Sequence, residues 1–86
     1  MITVRYTPTF VRMYKGLDPN LKEEVRNSIN LFGDVRNHAK LKVHKLKGLL
    51  KDRYSFSVNY KIRIIFRYKD KQTANLIYVG AHDEVY

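Results

Sequence analysis

Three histidines, at positions 38, 44 and 82, are the side chains of this sequence best suited to proton transfer. An imidazole has an unperturbed pKa of about 6.5, so it can act as a general acid or a general base near neutral pH. The three positions lack metal-ligand spacing and no carboxylate cluster accompanies them, which argues against a zinc hydrolase. The chain has no cysteine, which excludes a thiol nucleophile, a disulfide and a thiolate metal site. Nucleotide-binding glycine motifs and a serine nucleophile motif are also missing, so we expect chemistry without a metal or a cofactor.

The positive charge of the chain is concentrated in its middle. The 86 residues have a net charge of +9, and residues 36–71 alone contribute +10. Clustered cations attract polyanions, because each phosphate that they neutralise releases condensed counterions. The clustering therefore favours a nucleic acid as the partner over a solvated lysine-rich surface kept for solubility. Hydrophobic residues make up 44% of the chain, enough for a packed core. No apolar stretch approaches the roughly 18 residues of a membrane span, so we expect a soluble cytoplasmic protein.

The first half of the chain predicts a strand followed by two helices. Residues 2–6 alternate between apolar and polar side chains, which is typical of a half-buried strand. Thr7-Pro8 and Asp18-Pro19 each place a capping side chain before a proline, the pattern of a helix start. Apolar residues then recur every three or four positions, so we predict helices over Pro8–Lys15 and Pro19–Phe32.

The second half of the chain changes to a period of two and predicts four strands. They cover residues 41–47, 54–60, 62–69 and 74–79. Short connections between the last three imply antiparallel pairing. The sequence thus predicts one α+β domain over residues 1–86 in the order β-α-α-β-β-β-β, in which the helical hairpin covers one face of a mostly antiparallel sheet.

The other face of the predicted sheet receives many of the cations. Arg63 and Arg67 lie on the opposite side of their strand from Ile62, Ile64 and Phe66, which we assign to the core. Basic sheets that also carry tyrosines can hold phosphates and stack unpaired bases. Strict alternation in the preceding strand separates His44 from Lys45 and Lys47, so a shared site there requires a bulge or a turn.

Four segments of the second half carry a recognisable succession of motifs: a K-L-x-G turn, a Y-x-x-x-V strand, an R-x-I-F strand and a V-G-x-H terminus. They lie in Val43–Gly48, Tyr54–Val58, Arg63–Phe66 and Tyr78–Tyr86. In this order, after a strand-helix-helix beginning, the sequence resembles the RelE/ParE superfamily of toxins from type II toxin–antitoxin systems. The histidines at 44 and 82 make it more similar to the YafQ-type branch than to RelE itself.

The resemblance implies a ribosome-dependent mRNA endonuclease. Toxins of this kind cut codons in the ribosomal A site and are neutralised by an acidic antitoxin. The 2′-hydroxyl attacks the adjacent phosphate without a metal, which gives a 2′,3′-cyclic phosphate and a 5′-hydroxyl. We therefore expect mRNA on the ribosome and a cognate antitoxin as partners, and neither a cofactor nor a membrane.

The resemblance also implies roles for individual residues. His82 is expected to act as general acid or base, with His44 or Lys45 as its counterpart. Arg63 is expected to bind the phosphate oxygens, and Tyr86 to stack on a base or orient the phosphate. The residues expected to bind the RNA without reacting are Lys42, Lys47, Lys51, Arg53 and Arg67.

Other interpretations of the same residues stay open. The central histidine and aspartate of the YafQ branch correspond to Val58 and Lys61 or their neighbours here, which leaves the general base open. A ParE-like poison of DNA gyrase shares the fold without nuclease residues, and a basic RNA-binding module shares the charge without catalysis. The two matching histidines and the Lys45/Lys47 pair favour the nuclease. His44 has an alternative as an ordinary strand residue, and His38 is interpreted as structural or incidental.

Overall fold

A computed structural model describes residues 1–48 and 52–81 of the chain. These residues form five strands, two α-helices and one short 3-10 helix. Their order along the chain is β1 (Thr3–Tyr6), α1 (Pro8–Lys15), α2 (Pro19–Phe32), the 3-10 helix (Val35–Asn37), β2 (His44–Lys45), β3 (Tyr54–Ser57), β4 (Ile62–Asp70) and β5 (Thr73–Ala81).

The five strands form one sheet in the order β1-β5-β4-β3-β2. Strand β1 runs parallel to β5, and the three other pairs are antiparallel. The helical hairpin connects β1 at one edge to the strands at the other side and packs on a single face. The predicted α+β architecture and element order are therefore confirmed.

Both α-helices begin where their capping residues predict. The Thr7 side chain accepts a hydrogen bond from the Phe10 N–H at 3.1 Å, and the Asp18 carboxylate accepts one from the Leu21 N–H at 2.9 Å. Each cap precedes a proline, which has no N–H to leave unsatisfied in the first turn. The two helices span the residues that the sequence predicts.

The core lies between the helical hairpin and one face of the sheet, and aromatic rings fill its centre. The Phe32 ring stacks on Phe56 with centroids 4.5 Å apart and meets the edge of Phe66 at 4.8 Å. All three rings are fully buried. On its other side Phe32 stacks on the His38 ring at 4.8 Å, and His38 Nε2 lies 2.7 Å from the Phe32 carbonyl oxygen. This agrees with the structural interpretation of His38.

The predicted strand over residues 41–47 is reduced to two residues. Lys42 adopts the left-handed backbone conformation with φ of 59°, which interrupts an extended chain. The Leu41 carbonyl nevertheless accepts from the Ser57 N–H at 2.8 Å, so the segment stays attached to β3. The predicted strand over 54–60 also ends early, at Ser57, because the chain turns there. Strands β4 and β5 are each slightly longer than predicted.

Neither α-helix in the described part of the chain has the length and apolar character needed to cross a bilayer.

Candidate functional site

The sheet face that points away from the helices is organised in rows across the strands. Register places His44 beside Ser55, Ser55 beside Ile65, and Ile65 beside Tyr78. Residues paired in this way project from the same face of a sheet. The neighbouring row pairs Ser57 with Arg63 and Arg63 with Gly80. We call this face, with its rows through His44 and Arg63, the open face.

His44 has a defined ring orientation at the edge of the open face. Its Nδ1 lies 2.8 Å from the Lys42 carbonyl oxygen. A carbonyl oxygen only accepts hydrogen bonds, so Nδ1 carries the proton of this contact. In the neutral ring the lone pair is then on Nε2, the atom that would take a proton from a substrate. The turn at Lys42 that shortens β2 therefore also fixes the tautomer of His44.

Arg63 is anchored to the turn between β3 and β4. Its Nη1 donates to the carbonyl oxygens of Asn59 at 2.6 Å and Tyr60 at 3.1 Å, and lies 3.3 Å from that of Ile62. These contacts hold the guanidinium in one place at the end of the sheet. Within residues 1–48 and 52–81, Arg63 forms no ion pair, so its charge is not neutralised by a described carboxylate. A fixed cation of this kind can bind a phosphate oxygen with its remaining N–H groups.

Lys45 does not share the face of His44 and Arg63. It pairs with Tyr54, which pairs with Phe66 on the helix side of the sheet. Register therefore places Lys45, the expected alternative to His44 as the counterpart of His82, on the face opposite Arg63, because one step along a strand reverses the direction of the side chain. Lys47 lies beyond the end of β2 and is exposed, a position compatible with the expected contact to an RNA backbone.

A second group of cations lies at the other end of the open face. Asp52 Oδ2 is 3.6 Å from Arg67 Nη1, and Asp52 Oδ1 is 3.9 Å from Arg53 Nε. The Arg53 guanidinium lies 5.9 Å from the centroid of the Tyr78 ring. The Arg53 Nε is buried and makes no hydrogen bond to a described residue. Arg67, which is the more exposed of the two arginines, can therefore reach a phosphate more easily than Arg53.

Sequence reasoning missed the covered middle of the open face. Ile65 and Ser55 have no exposed surface, although their parity places them away from the helices. Ile65 also lies outside the main hydrophobic cluster. The signal in the sequence is an isoleucine at the position that alternation assigns to a polar residue, between Arg63 and Arg67. The open face therefore has two cationic ends and a buried, largely apolar centre.

Three of the expected site residues lie outside the described residues: Lys51, His82 and Tyr86. Lys42 is described and lies beside the β3–β4 turn. In the described ranges no three histidine, aspartate or glutamate side chains converge as ligands for a metal ion.

Fold and site together define a class: a small α+β domain in which a helical hairpin covers one side of the sheet and cations lie on the other. Neither a family model nor a curated protein matches the sequence. Solved toxin structures do match, and the chain has the fold of the RelE/ParE superfamily of toxins, as its motifs predict.

Three of these solved structures illustrate the similarity. The toxin–antitoxin complex RelBE2 from Mycobacterium tuberculosis has a TM-score of 0.76 and 25% identity, over 94% of this chain and 98% of that one. YafQ from E. coli has a TM-score of 0.76 and 15% identity, over 100% of this chain and 99% of that one. The toxin–antitoxin complex YoeB-YefM from Staphylococcus aureus has a TM-score of 0.69 and 20% identity, over 95% and 98%.

Proposed function

We propose that this protein is the toxin of a type II toxin–antitoxin system and cleaves mRNA on the ribosome in the cytoplasm. The observation that carries the proposal is the orientation of His44, whose Nδ1 is bound to the Lys42 carbonyl at 2.8 Å on the same sheet face as Arg63. A histidine, and an arginine without an ion pair among the described residues, supply two of the three groups that metal-independent cleavage of RNA requires: the base and the donor to the phosphate.

In the proposed reaction His44 Nε2 takes the proton from the 2′-hydroxyl of the bound nucleotide. The 2′-oxygen forms a bond to the adjacent phosphorus, and the bond from phosphorus to the 5′-oxygen breaks. The products are a 2′,3′-cyclic phosphate and a 5′-hydroxyl, whose proton comes from a general acid. His82 is our candidate for that acid, and Tyr86 for stacking on a base or orienting the phosphate. No oxidant, metal or cofactor enters this balance.

Arg63 has the complementary role of stabilising the charge that develops on the phosphate. His44 and Arg63 are separated by two strand spacings and two residues along the sheet, which puts their Cα atoms about 12 Å apart. In the proposed complex the reacting phosphodiester lies between the two side chains and accepts from the N–H groups of Arg63 that are not bound to the turn. The anchored guanidinium needs little reorganisation as the charge forms, which is the condition under which such donors are most effective.

The remaining cations are proposed to bind the RNA backbone. Arg67 and Arg63 are four residues apart on one strand, or about 13 Å, so they contact different phosphates. Lys42, Lys47 and Arg53 are further candidates for binding the backbone, and the sequence adds Lys51, which lies outside the described residues. Lys45 is assigned here to backbone binding at most, because its register places it on the helix side.

A cognate antitoxin is the proposed protein partner. A net charge of +9 favours an acidic chain, and an apolar groove of about 370 Å³ on the helical hairpin offers a second kind of contact. The groove is lined by Tyr6, Phe10 and Val11 among others, and Lys15 and Arg26 contribute cations to it. An amphipathic helix with acidic flanks fits both features. Co-expression with the product of an adjacent acidic reading frame should give a complex that Val11→Glu weakens and Asn20→Asp does not.

The nuclease proposal is tested by primer extension of an mRNA on purified translating ribosomes. Wild-type protein should cut within the A-site codon and leave a 5′-hydroxyl on the downstream fragment. His44→Gln should abolish the cut while its circular dichroism spectrum stays native. His38→Gln is the matched control, because its ring nitrogen contacts only the Phe32 carbonyl in the described chain; it should still cleave below its melting temperature.

An uncut mRNA with wild-type protein would contradict the proposal. Inhibition of gyrase supercoiling by the same preparation would then identify the ParE-like alternative. If His44→Gln cleaves at the wild-type rate, the protein is still a nuclease but His44 is not its general base.

A further inference from the structure

The turn between β3 and β4 presents a large aromatic side chain that has no packing role. Tyr60 is 97% exposed. The turn beneath it is nevertheless well ordered: Asn59 Oδ1 accepts from the N–H groups of Lys61 and Ile62 at 2.8 Å each, and Arg63 Nη1 donates to the Tyr60 carbonyl at 3.1 Å. The backbone of the turn is held by these hydrogen bonds, so only the Tyr60 side chain has to be ordered when a planar partner stacks on its ring.

A cationic hollow of about 360 Å³ lies directly beside this turn. Its cations are Lys40, Lys42 and Arg63, and none of its lining residues carries a carboxylate. A carboxylate next to the turn is that of Glu24, whose Oε1 accepts from Asn59 Nδ2 at 3.3 Å. The volume is in the range of ligand pockets, about 300–1,000 Å³. The hollow therefore provides positive charge in a concave site next to an exposed ring.

We infer that the β3–β4 turn and this hollow form a second nucleotide subsite, in which a base stacks on Tyr60 and its phosphate binds between Lys40 and Lys42. The inference rests on the proposed RNA substrate and extends it, because the phosphate held here is not the one that His44 acts on. Arg63 is shared by the two positions, since it belongs to the open face and also lines the hollow.

RNA is favoured over a protein partner because of what the hollow combines. Proteins that bind single-stranded nucleic acid pair a cationic groove for the backbone with aromatic rings for the bases. The hollow has three cations and no carboxylate among its lining residues, which favours the binding of a phosphate group. The backbone at Lys42 is held by the contact of its carbonyl with His44, so the lysine that would bind the second phosphate also positions the proposed base.

The test measures binding of a single-stranded RNA with 2′-O-methyl groups throughout, which cannot undergo the self-cleavage reaction. Fluorescence anisotropy gives the dissociation constant at several salt concentrations. Tyr60→Ala should weaken binding by about fivefold or more, the effect of losing one stacked base, whereas Tyr60→Phe should stay within about twofold of wild type. Comparing Tyr60→Ala with Tyr60→Phe distinguishes the contribution of ring stacking from that of the tyrosine hydroxyl group.

The lysines are tested by a double variant, Lys40→Asn with Lys42→Asn. Asparagine tolerates the left-handed backbone at position 42, so the fold is preserved. The slope of log K against log salt should fall by about 0.7, the contribution of one phosphate on a single strand. The matched control removes two charges at the opposite end of β4, as Lys69→Asn with Lys71→Asn, and should keep the wild-type slope.

A methylphosphonate scan locates the contact. At the phosphate that the hollow binds, replacement by the neutral group should weaken binding to wild type. The same replacement should not weaken binding to the double lysine variant any further. If the Lys40/Lys42 variant and the Lys69/Lys71 control variant have the same salt slope, the subsite proposal is wrong. It is also wrong if Tyr60→Ala binds the RNA as tightly as wild type, even if cleavage on ribosomes is observed. No RNA binding by wild type would overturn it as well. Tyr60-dependent binding without any cleavage would support the subsite and refute only the nuclease.

Discussion

Arg63 connects the stability of the β3–β4 turn to the proposed chemistry, so its replacement should have two separable effects. Arg63→Gln removes the hydrogen bonds of Nη1 to the Asn59 and Tyr60 carbonyls, at 2.6 and 3.1 Å. Hydrogen bonds from charged donors contribute about 1.5–3 kcal/mol, and the side chain is partly exposed, so we expect a loss of about 2 kcal/mol in the free energy of unfolding. For a domain of this size that lowers Tm by about 8–16 °C.

The effect on cleavage should be larger than the effect on stability. Loss of one fixed donor to a developing oxyanion lowers the rate by about 10² to 10³-fold. Arg63→Lys keeps the charge but not the planar fork, so it should cleave faster than the glutamine variant and at least about tenfold more slowly than wild type. Single-turnover cleavage on ribosomes, below the lowest Tm of the set, measures the rate, and thermal unfolding followed by circular dichroism measures the stability.

A matched arginine elsewhere separates a local effect from loss of charge. Arg36 is 87% exposed at its side chain and pairs with Asp34 at 2.7 Å, and exposed ion pairs contribute little to stability, so Arg36→Gln should leave the unfolding midpoint close to that of wild type. The cleavage rate of Arg36→Gln should equal that of wild type. If Arg63→Gln melts like wild type, the contacts to the turn do not stabilise it. If it cleaves within tenfold of wild type, Arg63 does not bind the reacting phosphate and the assigned role is wrong.

Three further predictions concern the framework of the site. Asp18→Ala should cost about 1 kcal/mol in urea unfolding through loss of the α2 cap, and Asp18→Asn much less. His38→Leu should destabilise the fold by about 1–2 kcal/mol, because it removes both the contact to the Phe32 carbonyl and the ring stacking; an unchanged unfolding midpoint would refute that role. Hydrogen bonding by Arg36 lowers the pKa of Asp34 to about 2, so any stability from this pair is complete above pH of about 3.8 and is lost as the pH falls toward 2; NMR titration should show Arg36→Gln raising that pKa.

The helices could be predicted from the sequence because their ends are encoded locally. A capping side chain followed by proline determines where each helix starts, and the contacts that do this span only three residues. The alternation of β4 likewise assigned Ile62, Ile64 and Phe66 to the core. Information of this kind depends on neighbours along the chain, which a sequence shows directly.

The site was harder to predict because it depends on register between strands. His44 reaches the open face through its pairing with Ser55, and the shortness of β2 follows from the left-handed backbone at Lys42. A lysine gives no local signal for that conformation. The irregular register of β4 and β5 between Ile65 and Phe66 is a second feature of this type, since one extra residue in a strand re-aims the side chains beyond it.

The buried centre of the open face affects how the protein's net positive charge is expected to bind RNA. Ile65 is buried between Arg63 and Arg67 along β4, so we expect a bound RNA to contact the two ends of the face as separate sites. At one end Asp52 lies near both Arg53 and Arg67, so part of that charge is already neutralised. At the other end no described carboxylate pairs with Arg63. The strongest attraction for a phosphate is therefore expected at the β3–β4 turn, beside Arg63, and an acidic partner segment is expected to bind most tightly at that end.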